Sequence, residues 1–312
     1  MTWRQHRLQA YAGAALLAAL AVAALVTELP IRAAYHSDPL SACLPPSTRT
    51  GCDLIVAHFR GEFTARLDAL RYLIVLPALV GLLVGAPLVA REYERGTHRL
   101  AWSQGVTRGR WLLTKTALLT AATALAGLAL AGLATWWRQP FDNLDGRISP
   151  RAFDVEGIVV PAYAVAALAF GVLAGVALRR TLPAMSLAVG LFFAARLGVE
   201  KLLRPHYLAP AHRTVAGIGP TAPTRDWVLS NSLVDAAGRT ISTAREDAAI
   251  VHAQHAGIDP QSYLATLGWH RAVTFQPAGR FWTFQAIEAG IFLVLAAAAV
   301  LLALRLVRRA PA

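Results

Sequence analysis

Six stretches of this 312-residue chain are apolar over about the 20 residues that a helix needs to cross a bilayer core. They fall at approximately 8–30, 71–90, 112–135, 158–178, 183–203 and 281–304. No other feature limits the fold as much. A backbone crossing hydrocarbon must satisfy its polar groups internally, and a helix does so within one segment. The pattern predicts an all-α integral membrane protein with six transmembrane helices. Charge supports this, since only 15% of residues are charged, against about 25% in soluble domains. The first stretch follows the basic start "MTWRQHR" and looks like a signal peptide. Its apolar run exceeds the roughly 7–15 residues of a signal core, so it reads as a retained span.

The net charge is +12, from 28 arginines and two lysines against 18 acidic residues. A basic chain raises the question of nucleic acid. Here the arginines are scattered between apolar blocks, so the bilayer is the expected partner and nucleic acid is not. With the N-terminus inside, the short pieces 1–7, 91–115, 179–182 and 305–312 carry 13 of the 30 basic residues. The rest are spread over far longer stretches, and density in short flanks sets orientation. Both termini are therefore expected in the cytoplasm. The arginine- and alanine-rich composition suggests a bacterial cytoplasmic membrane.

The opposite side receives loops at about 31–70, 136–157 and 204–280. The chain thus divides into helices one to five over 1–203, with a cytoplasmic segment at 91–111, then 204–280, then helix six and a tail over 281–312. The 204–280 loop is long enough for a small α+β extracellular subdomain. In it "DWVLSNSLVDAAGRTIST" reads as a β-hairpin. "TAREDAAIVHAQHAG" reads as a helix ending at Gly257, and "DPQSYLATLG" as one capped by Asp259. Cys43 and Cys52 lie close together in a polar loop, and both a disulfide and two free thiols fit that spacing.

The segment 91–111, "REYERGTHRLAWSQGVTRGRW", is dense in charge. Gly96 ends the preceding helix, Thr97 caps a short one, and Thr107 caps the third span. His98, Ala101 and Trp102 share a face of that short helix. On these grounds it is an interfacial helix, with arginines at headgroups and Trp102 in the aromatic belt. The wider stretch "GAPLVAREYERGTHRLAWSQGVTRGRWLLTK" resembles the cytoplasmic segment of the ATP-binding-cassette type-2 permease family. The matching features are Glu92 and Glu94, Gly96-Thr97, Leu100 to Gln104, Thr107-Arg108, Trp111 and Lys115. "LRPHYLAP" (203–210) and "FQPAGRFWTFQAIEAGIF" (275–292) resemble such permeases too, whereas 211–274 matches least.

The resemblance implies the membrane half of an exporter. The short helix, with Arg99, Leu100 and Trp102, would dock on a separate ATPase subunit, and a second permease subunit would complete the assembly. No G-x-x-x-x-G-K-[ST] phosphate loop occurs in this chain, so ATP and Mg²⁺ are expected in the partner and no cofactor here. The alternative is a non-transporting sensor or assembly factor that binds a ligand through 204–280.

Two charges fall inside spans. Arg196 and Glu288 each lie about seven residues, or roughly 10 Å, from the outer helix ends. Similar depth and opposite sign predict an ion pair, with Glu200 on the face of Arg196. Such a pair either clamps helices five and six or lines a translocation path. Pro77, Pro87, Pro161 and Pro183 mark bends or helix starts, and Gly81-x-x-x-Gly85 permits close helix contact. The outer histidines, including His252 and His255, lack the H-E-x-x-H or cysteine pattern of a metal site. No G-x-S-x-G or paired carboxylates suggest catalysis, so the chain is not expected to be an enzyme.

Overall fold

The computed structural model describes residues 2–44, 51–96, 107–216 and 225–309. Six helices are long and apolar enough to cross a membrane: Gly13–Tyr35, Leu54–Glu94, Arg108–Asp145, Val159–Leu178, Thr181–His206 and Ala278–Arg309. Each lies over one of the six apolar stretches.

In chain order the elements are α1 (Thr2–Tyr35), α2 (Asp38–Ser41), α3 (Cys52–Leu70), α4 (Val75–Val80) and α5 (Ala86–Glu94). They are followed by α6 (Arg108–Asp145), α7 (Pro150–Phe153), α8 (Val159–Leu178) and α9 (Thr181–Gly198). The last helices are α10 (Thr243–His255), α11 (Pro260–Thr266) and α12 (Phe281–Arg309). A 3₁₀ turn at 71–74 and a π turn at Gly81–Gly85 join α3, α4 and α5 into one path. A second π turn, Val199–Leu203, and a 3₁₀ turn extend α9 to His206.

The helices alternate in direction. One end of the bundle gathers 91–96, the start of α6, the α8–α9 turn and the end of α12; it is called the basic end here. The other end carries the subdomain.

α8 is the central post. Fifteen of its residues are buried, from Val159 to Val176, with apolar side chains all round, as a helix surrounded by other helices requires. Phe192 of α9 and Phe284, Phe292, Ala296 and Ala299 of α12 join it in the largest core. Glycines let the path through α4 and α5 come close. A Cβ on Gly81 would lie 2.5 Å from the Ala167 carbonyl oxygen, and one on Gly85 would lie 2.6 Å from that of Leu168. On the facing helix, a Cβ on Gly175 would lie 2.6 Å from the Ala86 oxygen. The Gly81-x-x-x-Gly85 pattern thus meets a second one, Gly171-x-x-x-Gly175, across the crossing. The α8–α9 connection is only Arg179 and Arg180, with Arg179 left-handed at φ 55. Pro161 and Pro183 sit in first turns, where a missing N–H costs nothing.

Two stretches expected as loops are helical. Residues 52–70 form α3, and α6 runs on to Asp145. The ends of α1 and α6 pack with α3 around Tyr35, Phe59, Phe63, Trp137 and Phe141, a second aromatic core at the subdomain end. Stacking of Phe141 on Phe59 at 5.3 Å and on Trp137 at 5.8 Å explains why these polar-faced segments stay helical. Cys43 and Cys52 form a disulfide that ties α2 to the start of α3. Reducing this bond is expected to destabilise the aromatic core by about 2–3 kcal/mol, since the closed loop is short. Thermal unfolding with and without reductant measures this, and an unchanged midpoint would count against it.

The subdomain is a three-stranded antiparallel sheet, β1 (Ala211–Ala216), β2 (Trp227–Val234) and β3 (His270–Gln276), in the order β1-β3-β2. The hairpin expected over 226–243 forms only in part. β2 pairs along β3, and its return beyond Gly238 makes a single bridge, Val234 to Thr240. The better-matched partner is β3, which offers a full strand. Helices α10 and α11 close a small core of Leu233, Ile241, Leu264 and Trp269. Asp259 caps α11 by accepting from the Ser262 N–H at 2.9 Å, and this bond holds its carboxyl below the ordinary carboxylate range.

Candidate functional site

The buried charges lie where α8 begins, α9 ends and α12 begins. Arg196 and Glu288 are there, with Arg196 Nη1 3.6 Å from Glu288 Oε1. They are not each other's nearest partners. Arg204 donates to both Glu288 oxygens, Nε to Oε2 and Nη2 to Oε1, each at 2.7 Å. Arg204 Nη2 also donates to Asp154 Oδ1 at 2.7 Å. Arg196 pairs with Asp154 and lies 3.6 Å from Glu200 Oε2, one turn along its own helix. Tyr163 and Tyr207 both donate to Glu288, the latter at 3.0 Å. Lys201 lies 3.0 Å from Glu200.

Each member has a local reason to be there. Eight residues separate Arg196 from Arg204. A regular α-helix would turn about 80° too far over that span. The π turn at Val199–Leu203 adds about one residue to a turn, so eight residues complete about two turns and both guanidiniums face α12. Asp154 follows α7 and is held from behind. Gln285 donates to the Phe153 and Glu156 carbonyls at 3.1 Å each and accepts from the Val159 N–H at 3.0 Å. Glu156, fully buried, accepts from Arg138 at 2.8 Å and Arg147 at 2.7 Å. Arg204 also lies over the Phe153 ring at 4.4 Å.

Burial pushes the Asp154 carboxyl above its ordinary value, with the Arg204 and Arg196 guanidiniums opposing it. Burial, reinforced by the Glu288 carboxylate, raises the Tyr207 hydroxyl strongly. The three cations, Arg196, Lys201 and Arg204, match the three carboxylates of Asp154, Glu200 and Glu288. The cluster is a neutral joint among α8, α9, α12 and the root of the subdomain. Sequence reasoning missed Arg204, Asp154, Tyr163 and Tyr207. The signal for Arg204 was its eight-residue spacing from Arg196, which points to one face only if a π turn intervenes.

The basic end holds the remaining expected site residues. Glu92 pairs with Lys115, whose ammonium lies 4.6 Å from the Trp111 ring centroid. Glu94 reaches the α8–α9 turn. Its carboxylate accepts from the Thr181 N–H at 2.8 Å and the Thr181 hydroxyl at 2.6 Å, so it caps α9 from another helix. Gly96 is left-handed at φ 67 and donates to the Tyr93 carbonyl at 3.2 Å, ending α5 as glycine does. Thr97, Arg99, Leu100 and Trp102 lie outside the described residues. Thr107 occupies the cap position of α6 in extended conformation with no side-chain cap bond among the described residues, and its carbonyl accepts from the Trp111 N–H at 3.0 Å. Arg108 opens α6. Trp111 is buried in the core that also holds Leu88, Val176 and Leu304, and there it holds α6 in place. Among the described residues no three His, Cys, Asp or Glu side chains gather as metal ligands do.

A family model described as ABC-2 membrane transporter related matches residues 14–204. The match takes in five of the six long helices and ends at Arg204. Neither a curated protein nor a solved structure matches the chain.

Proposed function

Because the chain belongs to the ABC-2 membrane transporter related family and so has a permease-type transport role, we propose that it is the membrane-spanning subunit of an ATP-driven exporter. ATP is hydrolysed by a separate ATPase subunit, and two permease units, identical or not, frame the path between them. The family match over the first five of the six long helices carries this reading.

Residues 92–111 form the docking region for the ATPase on the cytoplasmic side of a bacterial membrane, and both termini share that side. The arginine density of the basic end supports the orientation. Its glutamates support the coupling: Glu94 joins the segment to the first turn of α9, and α9 leads to the buried joint around Glu288. In this reading the joint clamps α9 to α12 while the bundle rocks.

The test is affinity capture of the ATPase encoded beside this chain's gene. The wild-type chain is expected to capture it. Arg108→Glu and Trp102→Pro are each expected to weaken capture at least about tenfold, as a charge reversed or a helix broken at an interface would. Capture unchanged in both variants would remove the docking assignment. Wild-type failure to capture any such ATPase would remove the exporter reading itself.

A further inference from the structure

At the basic end, Arg108 and Arg110 of α6 and Arg308 of α12 line one cleft of about 520 Å³, together with Gly109 and Leu113. The two helices meet closely here: the Arg308 Nε lies 3.2 Å from where a Cβ on Gly109 would sit, so the guanidinium rests over the glycine. Arg110 and Arg308 have no ion pair among the described residues. Nor can the nearby chain supply one. Residues 1–12, 91–115, 178–183 and 305–312 contain only two acidic side chains, Glu92 and Glu94. Glu92 is held by Lys115, and Glu94 by Thr181. The charge in this cleft therefore calls for an anion from outside.

The cleft also indicates which anion. One turn beyond Arg110, Leu113 lines the same cleft and is 43% exposed. On α12, two turns from Arg308 toward the bilayer and beyond the cleft lining, lies Leu301, 58% exposed. Two arginine forks beside an apolar wall suit an amphiphile, with phosphate at the rim and hydrocarbon along the helices. An acidic protein surface would meet the arginines but leave the leucine side unused.

We propose that this cleft holds the phosphate of an anionic phospholipid between Arg110 and Arg308, with its acyl chain against Leu113. The lipid would fasten the start of α6 to the end of α12. The inference does not depend on the exporter reading.

Native mass spectrometry of the full chain tests it, with phosphatidylglycerol and phosphatidylcholine offered together. Wild type is expected to retain phosphatidylglycerol at least about tenfold over phosphatidylcholine. Arg110→Gln with Arg308→Gln is expected to bring the two near parity. Arg305→Gln with Arg309→Gln, which removes equal charge from the same end but outside the cleft, is expected to keep the preference. If the double variant in the cleft does not fold, the single exposed change Arg308→Gln carries the comparison. Near parity in wild type overturns the proposal, and so does an equal loss in the Arg305/Arg309 control, which would mean diffuse charge. Unchanged retention in the cleft variant overturns it as well, leaving the arginines to a protein partner. Soluble glycerol phosphate competing as well as the lipid would make the site one for free anions and overturn the lipid assignment.

Discussion

Replacing Arg204 by alanine is expected to destabilise the folded chain by about 3–5 kcal/mol, the usual cost of stranding a buried charge. The magnitude follows from what remains. Glu288, with no exposed surface, would lose both bonds from Arg204 and keep Arg196 at 3.6 Å. Asp154 would lose a 2.7 Å bond as well. Two carboxylates would then share one guanidinium. Arg204→Lys keeps the charge but not the fork, so it is expected to fall between wild type and alanine. Arg204→Ala together with Glu288→Gln is expected to recover part of the loss, because the unpaired charge is then gone. Thermal unfolding in a lipid nanodisc reads all three. An Arg204→Ala midpoint within a degree or so of wild type would show that the joint bears little of the fold's stability.

The second large effect belongs to Gly171. An alanine there would place a Cβ 2.7 Å from the Ala86 nitrogen and 2.8 Å from the Gly85 Cα, both backbone atoms. No rotamer change relieves such contacts, so the two helices must separate. The expected cost is about 1–3 kcal/mol or more, the range for overpacking a close-packed interior. Separation would also disturb the Glu94 cap, since α5 continues directly from this crossing to Glu94. Gly190 on α9 is the control. A Cβ there meets nothing within 4 Å, and alanine is expected to be neutral or mildly stabilising. If Gly171→Ala and Gly190→Ala unfold at the same temperature, the crossing is not tight in the sense argued.

The spans were legible because their signal is a plain count of apolar residues, and a bilayer tolerates few other solutions. Helix ends were not. α3 and the last turns of α6 carry Arg60, Glu62, Arg66, Asp142 and Asp145, which lowers their apolar count without lowering their helicity. Their buried stripe, Phe59, Phe63, Trp137 and Phe141, is completed only when the two helices meet. Depth alone brought Arg196 and Glu288 to one level. It could not rank their partners, because Arg204 lay just past the predicted helix end. The π turn that swings it inward leaves no mark in residue type. Gly81 and Gly85 stood out by spacing, but their match to Gly171 and Gly175 was visible only once α8 was the neighbour. Trp111 stood out only through the family resemblance, as the aromatic residue before the third span. Its burial depends on α12 returning to the same end, a contact almost 200 positions away in sequence.

The Glu94 carboxylate has a mechanical meaning. It splints the end of α5 to the start of a helical rod that runs 26 residues, Thr181–His206, about 39 Å at 1.5 Å per residue. A tilt of α5 away from that rod must first break two hydrogen bonds, at 2.8 and 2.6 Å. A tilt that carries the rod along breaks neither. Along the rod the one departure from α geometry before its final 3₁₀ turn is the π turn at Val199–Leu203, next to the ion joint. The lever is thus stiff at the end where it is held and has its weakest ring beside the load.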